Sequence, residues 1–247
     1  MMSKILICTN SYPPQLGGLA TYSSPLALHL KNLNFDVTVL APASPDYKIF
    51  DKGRPYKILR YSSKVGLYQK CLTEMIKTDL IFIVQRGNYL TIAYQINKFL
   101  QKPFVVALHG HEVQSRKRSN IIKKMNHASA LIPGATYAAN HFKELGVNPS
   151  IITVINHGTA PIVNSGINVR SKYDLEDKQI ILTVARLTKH KGQDHLLKAL
   201  PRILKVIPNA HCLMVGDGPD REYLEDLAFN VFLSCSIPGI VFSAIIL

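Results

Sequence analysis

Seven short apolar runs with almost no polar alternation recur between residues 4 and 155, and they restrict the fold more than any other feature of the chain. They are Lys4–Cys8, Asp36–Leu40, Lys57–Arg60, Leu80–Val84, Pro103–Leu108, Ala130–Ile132 and Ile151–Ile155. Runs this short and rich in Ile, Val and Phe read as strands buried on both faces, which means a parallel sheet. Between them lie amphipathic stretches, Leu19–Leu33, Leu67–Lys77, Leu90–Leu100, Ile121–His127 and Tyr137–Leu145. Strands alternating with helices at this spacing predict βαβ units with helices on both faces of the sheet.

A second series follows: strand Gln179–Val184, a helix through Asp194–Val206, strand His211–Val215 and a helix over about 220–228. Residues 161–178, with Pro161, Gly166 and several Asn and Ser, show no strong period and read as an interdomain linker. The expected organisation is an α/β chain with a Rossmann-like domain over 1–160, a linker over 161–178 and a partial second Rossmann-like domain over 179–228. A free-standing doubly wound domain uses about five or six strands, so the second is expected to be cut short.

The apolar fraction of 47 % supports a packed core and excludes wholesale disorder. Cys8, Cys71, Cys212 and Cys235 are far apart with no C-x-x-C pair, so neither a zinc site nor a disulfide framework is expected and a reducing compartment is. The run Ile5–Cys8 is too short for a secretory h-region and meets polar Thr9, Asn10 and Ser11 at once. Charge is lopsided. Residues 1–124 hold 18 Lys/Arg against 6 Asp/Glu, and residues 125–247 hold 11 against 10. A basic half-molecule attracts phosphates, anionic membranes or nucleic acid, or is simply a solvated surface. No zinc finger, helix-turn-helix or aromatic–basic RNA signature is present, and a nucleic-acid partner is not expected.

Four strand-end loops carry candidate chemistry. After the first strand, Pro13-Pro14 stiffens a turn, and Gly17-Gly18 opens the backbone where a helix starts. Free amides at a helix N-terminus favour an anion, a phosphate above all, although a tight βα turn without a ligand looks the same. The G-x-G-x-x-G and G-K-[ST] patterns are absent. After Pro103–Leu108 come His109-Gly110-His111-Glu112. Two His at i, i+2 in a loop are not the helical H-E-x-x-H of a metal site, so His109 reads as a sugar-contacting hydrogen-bond partner or a plain loop residue. After Gln179–Val184, Arg186 and Lys191 flank a short loop that enters a helix. This is a place for a diphosphate, with a planar fork and a point charge, or a solvated basic loop. Gly216 opens the turn Gly216-Asp217-Gly218-Pro219, which by itself says only loop.

Four passages in this order resemble family 4 of the retaining glycosyltransferases, enzymes of GT-B fold that move a sugar from an activated nucleotide to an acceptor. They are YPPQLGGLATY, ALHGHE, VARLTKHKGQDHLLKAL and MVGDGPDREYLEDL, over about residues 3–228. The resemblance implies that Gly17 and Gly18 lie by the donor phosphates and the acceptor, that His109 faces the transferred sugar, and that Arg186 and Lys191 hold the donor diphosphate, with Gly216 on the donor side. It implies no cofactor and no metal, those cations serving instead. It implies a nucleoside-diphosphate sugar and a saccharide or lipid-linked acceptor as partners, two domains clamping the donor with the linker as hinge, and a role in cell-surface polysaccharide synthesis. A cytoplasmic location is expected, peripheral at the inner membrane face. Arg116-Lys117-Arg118 and Lys123-Lys124 are the expected patch for an anionic bilayer.

The chain also departs from the family. The Glu-x7-Glu pair that binds donor ribose and sugar there has no counterpart, since nothing beyond Asp226 is charged. The interdomain turn written P-N-G-V-D in the family is Asn156-His157-Gly158-Thr159-Ala160 here. Residues 229–247 form an apolar tail outside the family pattern. Three readings of it stand: a shifted reading frame or early stop, a membrane anchor, or a strand–turn–strand. A chain truncated in its donor domain is the expectation, and a non-catalytic acceptor- or membrane-binding module is the alternative to an enzyme.

Overall fold

In the computed structural model the described residues are 2–109, 118–158, 166, 168–173 and 175–235. The chain divides into two compact units, Met1–Ala160 and Pro161–Leu247.

The first unit has strands β1 (Lys4–Cys8), β2 (Asp36–Pro42), β3 (Lys57–Tyr61), β4 (Leu80–Ile83), β5 (Phe104–Leu108) and β6 (Ala130–Pro133), all parallel. Helices α1 (Gly18–Asn32), α2 (Tyr47–Asp51), α3 (Lys64–Lys77), α4 (Asn88–Leu100), α5 (Arg118–Met125) and α6 (Thr136–Glu144) connect or follow them. The order β3-β2-β1-β4-β5-β6 is the doubly wound arrangement, with its switch point between β1 and β4. In-phase pairing levels the carboxyl ends, Cys8 lying beside both Leu40 and Ile83. Alternate residues of each strand feed two cores. Leu6, Cys8, Ile81 and Ile83 pack with Leu67, Cys71 and Met75 of α3 and Ile92 and Ile96 of α4. Ile5, Ile7, Val37 and Val39 face the other way, with Ala27 of α1 and Tyr12.

The expected strand Ile151–Ile155 is not one. A 3₁₀ turn covers Pro149–Ile151, and only Ile152 bridges to Leu131. The segment still tracks β6, with the Thr153 amide donating to the Leu131 carbonyl and the Ile155 amide to that of Pro133. Its apolar residues are only partly matched by burial, since Val154 and Ile155 are exposed.

The second unit has α7 (Val169–Lys172), β7 (Gln179–Val184), α8 (Gln193–Val206), β8 (Ala210–Val215) and α9 (Arg221–Cys235). Among the described residues its sheet is the parallel pair β7-β8. Leu197, Leu200 and Leu204 of α8 and Leu224 and Ala228 of α9 pack on Cys212 and Met214. Leu182 and Val184 of β7 are 58 % and 70 % exposed. Burial on both strand faces therefore does not hold here, because the described helices cover one face. The short α7 lies inside the expected linker and is capped by the Asn168 side chain, which accepts from the Arg170 and Ser171 amides. The boundary expected at 229 is also wrong in one respect: α9 runs on to Cys235. The rest of the tail lies outside the described residues. Among the described residues no helix is long and apolar enough to cross a membrane.

Candidate functional site

In the first unit the candidate residues gather where β1, β4, β5 and β6 end. Tyr12 carries the β1 loop into the core, its ring buried and its hydroxyl 2.8 Å from that of Tyr56. Arg60 pins the same loop. Its guanidinium is buried, grips the Asp51 carboxylate at 2.7 and 3.0 Å, and donates to the carbonyls of Pro13 and Pro42. An ion pair buried this deeply stands because each of the three guanidinium nitrogens has a partner. Gly17 then takes φ 149°, a conformation side chains avoid, and caps α1 without a side-chain hydrogen bond. A Cβ on Gly17 or Gly18 would meet nothing within 4 Å, so the first turn of α1 is open above its backbone. No acidic side chain occupies that turn.

His109 follows β5 directly and is half-buried. Its Nε2 is 2.9 Å from the Val84 carbonyl at the end of β4. A carbonyl only accepts, so Nε2 carries the proton. Two further rings meet it. The imidazole of His157 is stacked on it, with centroids 5.1 Å apart and planes 13° apart, and Tyr22 of α1 stands edge-on to both at 5.2 and 5.3 Å. Burial pushes the Tyr22 hydroxyl above its ordinary value, so it stays protonated at neutral pH. Sequence reading missed Tyr22 and Arg60. It met His157 only as a departure from a family turn, which was the one available signal.

In the second unit the loop after β7 and the turn after β8 are built against each other. The Leu187 amide donates to the Asp217 carbonyl, the Asp220 amide donates to that of Leu187, and Asp220 accepts from the Lys189 amide. Gly216 has φ 148°, and a Cβ there would lie 2.0 Å from the Ala185 carbonyl oxygen; one on Gly218 would lie 2.2 Å from that of Leu187. The role of Gly216 visible here is thus to let two backbones touch. Gln193 is buried and donates from Nε2 to the Arg186 carbonyl. Asp194, in the first turn of α8, accepts from Lys198 and His195 at 2.9 Å each. The hydrogen bond from Lys198, then that from His195, lowers its pKa to about 2. Arg186 and Lys191 are exposed, and among the described residues neither side chain has a hydrogen bond or ion pair. Arg186 precedes the 3₁₀ turn Lys189–Lys191 and Lys191 ends it, and the left-handed Gly192 (φ 75°) then opens α8. Two unpaired cations at the start of a helix are suited to a multiply charged anion.

Among the described residues no group of three or more His, Cys, Asp or Glu is arranged to hold a metal ion. His111 and Glu112, weighed as ligands, and the basic run Arg116-Lys117 lie outside the described residues. On α5, Lys123 is exposed and Lys124 donates to Thr91.

Residues 16–161 match the family model for Glycosyltransferase Family 4, and residues 167–237 that for Glycosyl transferases group 1. A GDP-mannose-dependent alpha-(1-6)-phosphatidylinositol monomannoside mannosyltransferase of Mycolicibacterium smegmatis is 22 % identical over 246 residues, covering 92 % of this chain and 64 % of that protein. The chain thus spans less than two thirds of that relative's length. Among solved structures, Anabaena Alr3699/HepE in complex with UDP aligns with a TM-score of 0.72 at 21 % identity, covering 95 % of this chain and 66 % of that one. A glycosyltransferase from Rickettsia africae aligns at 0.76 and 19 % identity, covering 100 % and 68 %. These likenesses show the GT-B fold.

Proposed function

We propose, from the premise that this chain belongs to Glycosyltransferase Family 4, that it transfers a sugar from a nucleoside diphosphate to a saccharide or lipid-linked acceptor with retention of configuration. The observation that carries the reading is the exposed pair Arg186 and Lys191, without a described partner, at the entrance to α8. Cleaving the glycosidic C–O bond puts positive charge on the sugar and negative charge on the departing diphosphate. Cations fixed at that phosphate favour the transition state over the ground state. With these two present the reaction needs no metal. His109 contributes as a polar contact to the transferred sugar, and the open first turn of α1 at Gly17 and Gly18 as an anion contact. The mannosyltransferase relative is named for GDP-mannose and a phosphatidylinositol acceptor, and the Anabaena structure for UDP. Both favour a nucleotide sugar as donor, and the first a lipid-linked acceptor at an anionic membrane surface.

Calorimetry with GDP-mannose and UDP-glucose tests the reading. Binding of at least one, weakened sharply in Arg186→Ala and Lys191→Ala, is expected, with turnover falling about 10²–10³-fold in each and EDTA without effect. A chain that binds an acceptor but gives no heat with any nucleotide sugar is a binding module instead. The length it shares with its relatives, 64 % of the mannosyltransferase, is what keeps that second reading in view.

A further inference from the structure

We propose that His157 is a positioning residue, which holds the His109 imidazole on the Val84 carbonyl from a seat that only a glycine at 134 leaves open. The proposal rests on the sugar-transfer reading for its catalytic consequence, but not for the contact itself.

Three independent features converge on His157. Its backbone is delivered by pairing with β6, where Thr153 and Ile155 donate to Leu131 and Pro133 at 2.9 and 3.2 Å. The next turn of chain carries His157 over Gly134, at the carboxyl end of the same strand. There a Cβ on residue 134 would lie 2.2 Å from His157 Nε2 and within 2.8 Å of two ring carbons. An alanine at 134 would therefore displace the ring. The third feature is the stack itself, near-parallel to His109 and closed on one edge by Tyr22.

The consequence is mechanical. The hydrogen bond from Nε2 to Val84 fixes one atom of the His109 ring. The stacked His157 ring and the perpendicular Tyr22 ring add packing that sets the plane of the imidazole. A catalytic group held to one orientation keeps its reacting atom in place, and a misplacement of about 1 Å costs on the order of 10²-fold in rate. The titratable groups facing His157 among the described residues are His109 and Tyr22.

The test uses the full chain labelled with ¹⁵N-histidine, together with His157→Ala, His157→Phe and Gly134→Ala. His109 signals are assigned with His109→Gln. Long-range ¹H–¹⁵N spectra should show a single Nε2–H tautomer for His109 in the parent chain and in His157→Phe, which keeps a stacking ring. Averaged or shifted signals are expected in His157→Ala and Gly134→Ala, with thermal melting reporting that both remain folded. Release of nucleoside diphosphate from GDP-mannose and UDP-glucose gives the second readout. The expected pattern is a kcat loss of about 10²-fold in His157→Ala and Gly134→Ala, donor KM little changed, and recovery in His157→Phe. Unchanged His109 signals in both ring-displacing variants overturn the proposal. So does a shifted ring with unaltered kcat. A parent chain that turns over neither donor counts against sugar transfer, and the spectra then decide the contact alone.

Discussion

His211, the second residue of β8, is 8 % exposed and has, among the described residues, no hydrogen-bond partner for Nε2. Burial, and then the charge of Lys178, lower its pKa below the ordinary 6.5. The unfolded chain therefore takes up a proton at a pH where the folded chain does not. The second unit keeps its full stability above about 6.5 and loses part of it as pH falls toward the folded value. Urea unfolding of the parent chain at pH 7.5 and 5.5 should show that loss, and His211→Leu should flatten it; an equal slope in both chains would remove His211 as the cause. Such residues were invisible in the sequence. A histidine at the start of an apolar run carries no sign of whether its second nitrogen finds a partner. The positions of Arg186 and Lys191, in one loop between a strand and a helix start, follow by contrast from local chain geometry alone. His157 needed a partner 48 residues away in the chain, His109, and no periodicity encodes that. Arg60 likewise reads as one more surface cation until the fold brings Asp51, Pro13 and Pro42 around it.

At the scale of elements, strands buried on both faces declared themselves as apolar runs, and β1 to β6 lie within a residue or two of where those runs predict. Ile151–Ile155 has the same composition but follows a proline-started 3₁₀ turn and pairs irregularly with β6, so the run alone misled. The helix α9 passes the boundary that the resemblance predicts at 229, and the match to Glycosyl transferases group 1 likewise runs on to residue 237. The turn after β8 looked like a generic loop. In the fold it is one half of a two-loop device whose backbones meet at Gly216 and Gly218. Replacing either glycine with alanine should cost about 1–3 kcal/mol of stability in the second unit, the usual range for forced overpacking, and should disturb the Arg186 loop along with it. Equilibrium denaturation measures the first effect, and nucleotide-sugar affinity the second. An alanine variant at 216 with parental stability would show that the loops do not need to touch there.

Over its described residues the chain is a six-stranded doubly wound unit followed by a smaller βα unit, and the charge of the sequence is concentrated in the first. The fold class was legible because strand–helix alternation is a repeated signal. The small second sheet was legible as a shortage of strands, whereas its exposed Leu182 and Val184 depend on what covers a face and were not. Charge and surface together yield a test of the membrane reading. On α3 the residues Val65, Tyr68, Leu72 and Ile76 are all exposed, and their spacing puts them along one side of the helix. Attraction of Lys and Arg to an anionic bilayer is worth about 1 kcal/mol per residue near the surface, and it fades as the screening length contracts from about 10 Å at 0.1 M salt to about 3 Å at 1 M. Apolar insertion does not fade with salt. Binding to phosphatidylglycerol vesicles should therefore fall steeply with added salt to a residual level. Leu72→Glu with Ile76→Glu should abolish that residue of binding and weaken the low-salt value. Neutral phosphatidylcholine vesicles should bind at the residual level throughout. Equal binding to the two lipids at low salt would mean that the basic half of the chain takes no part, and parental binding by the double variant would remove α3 from the contact.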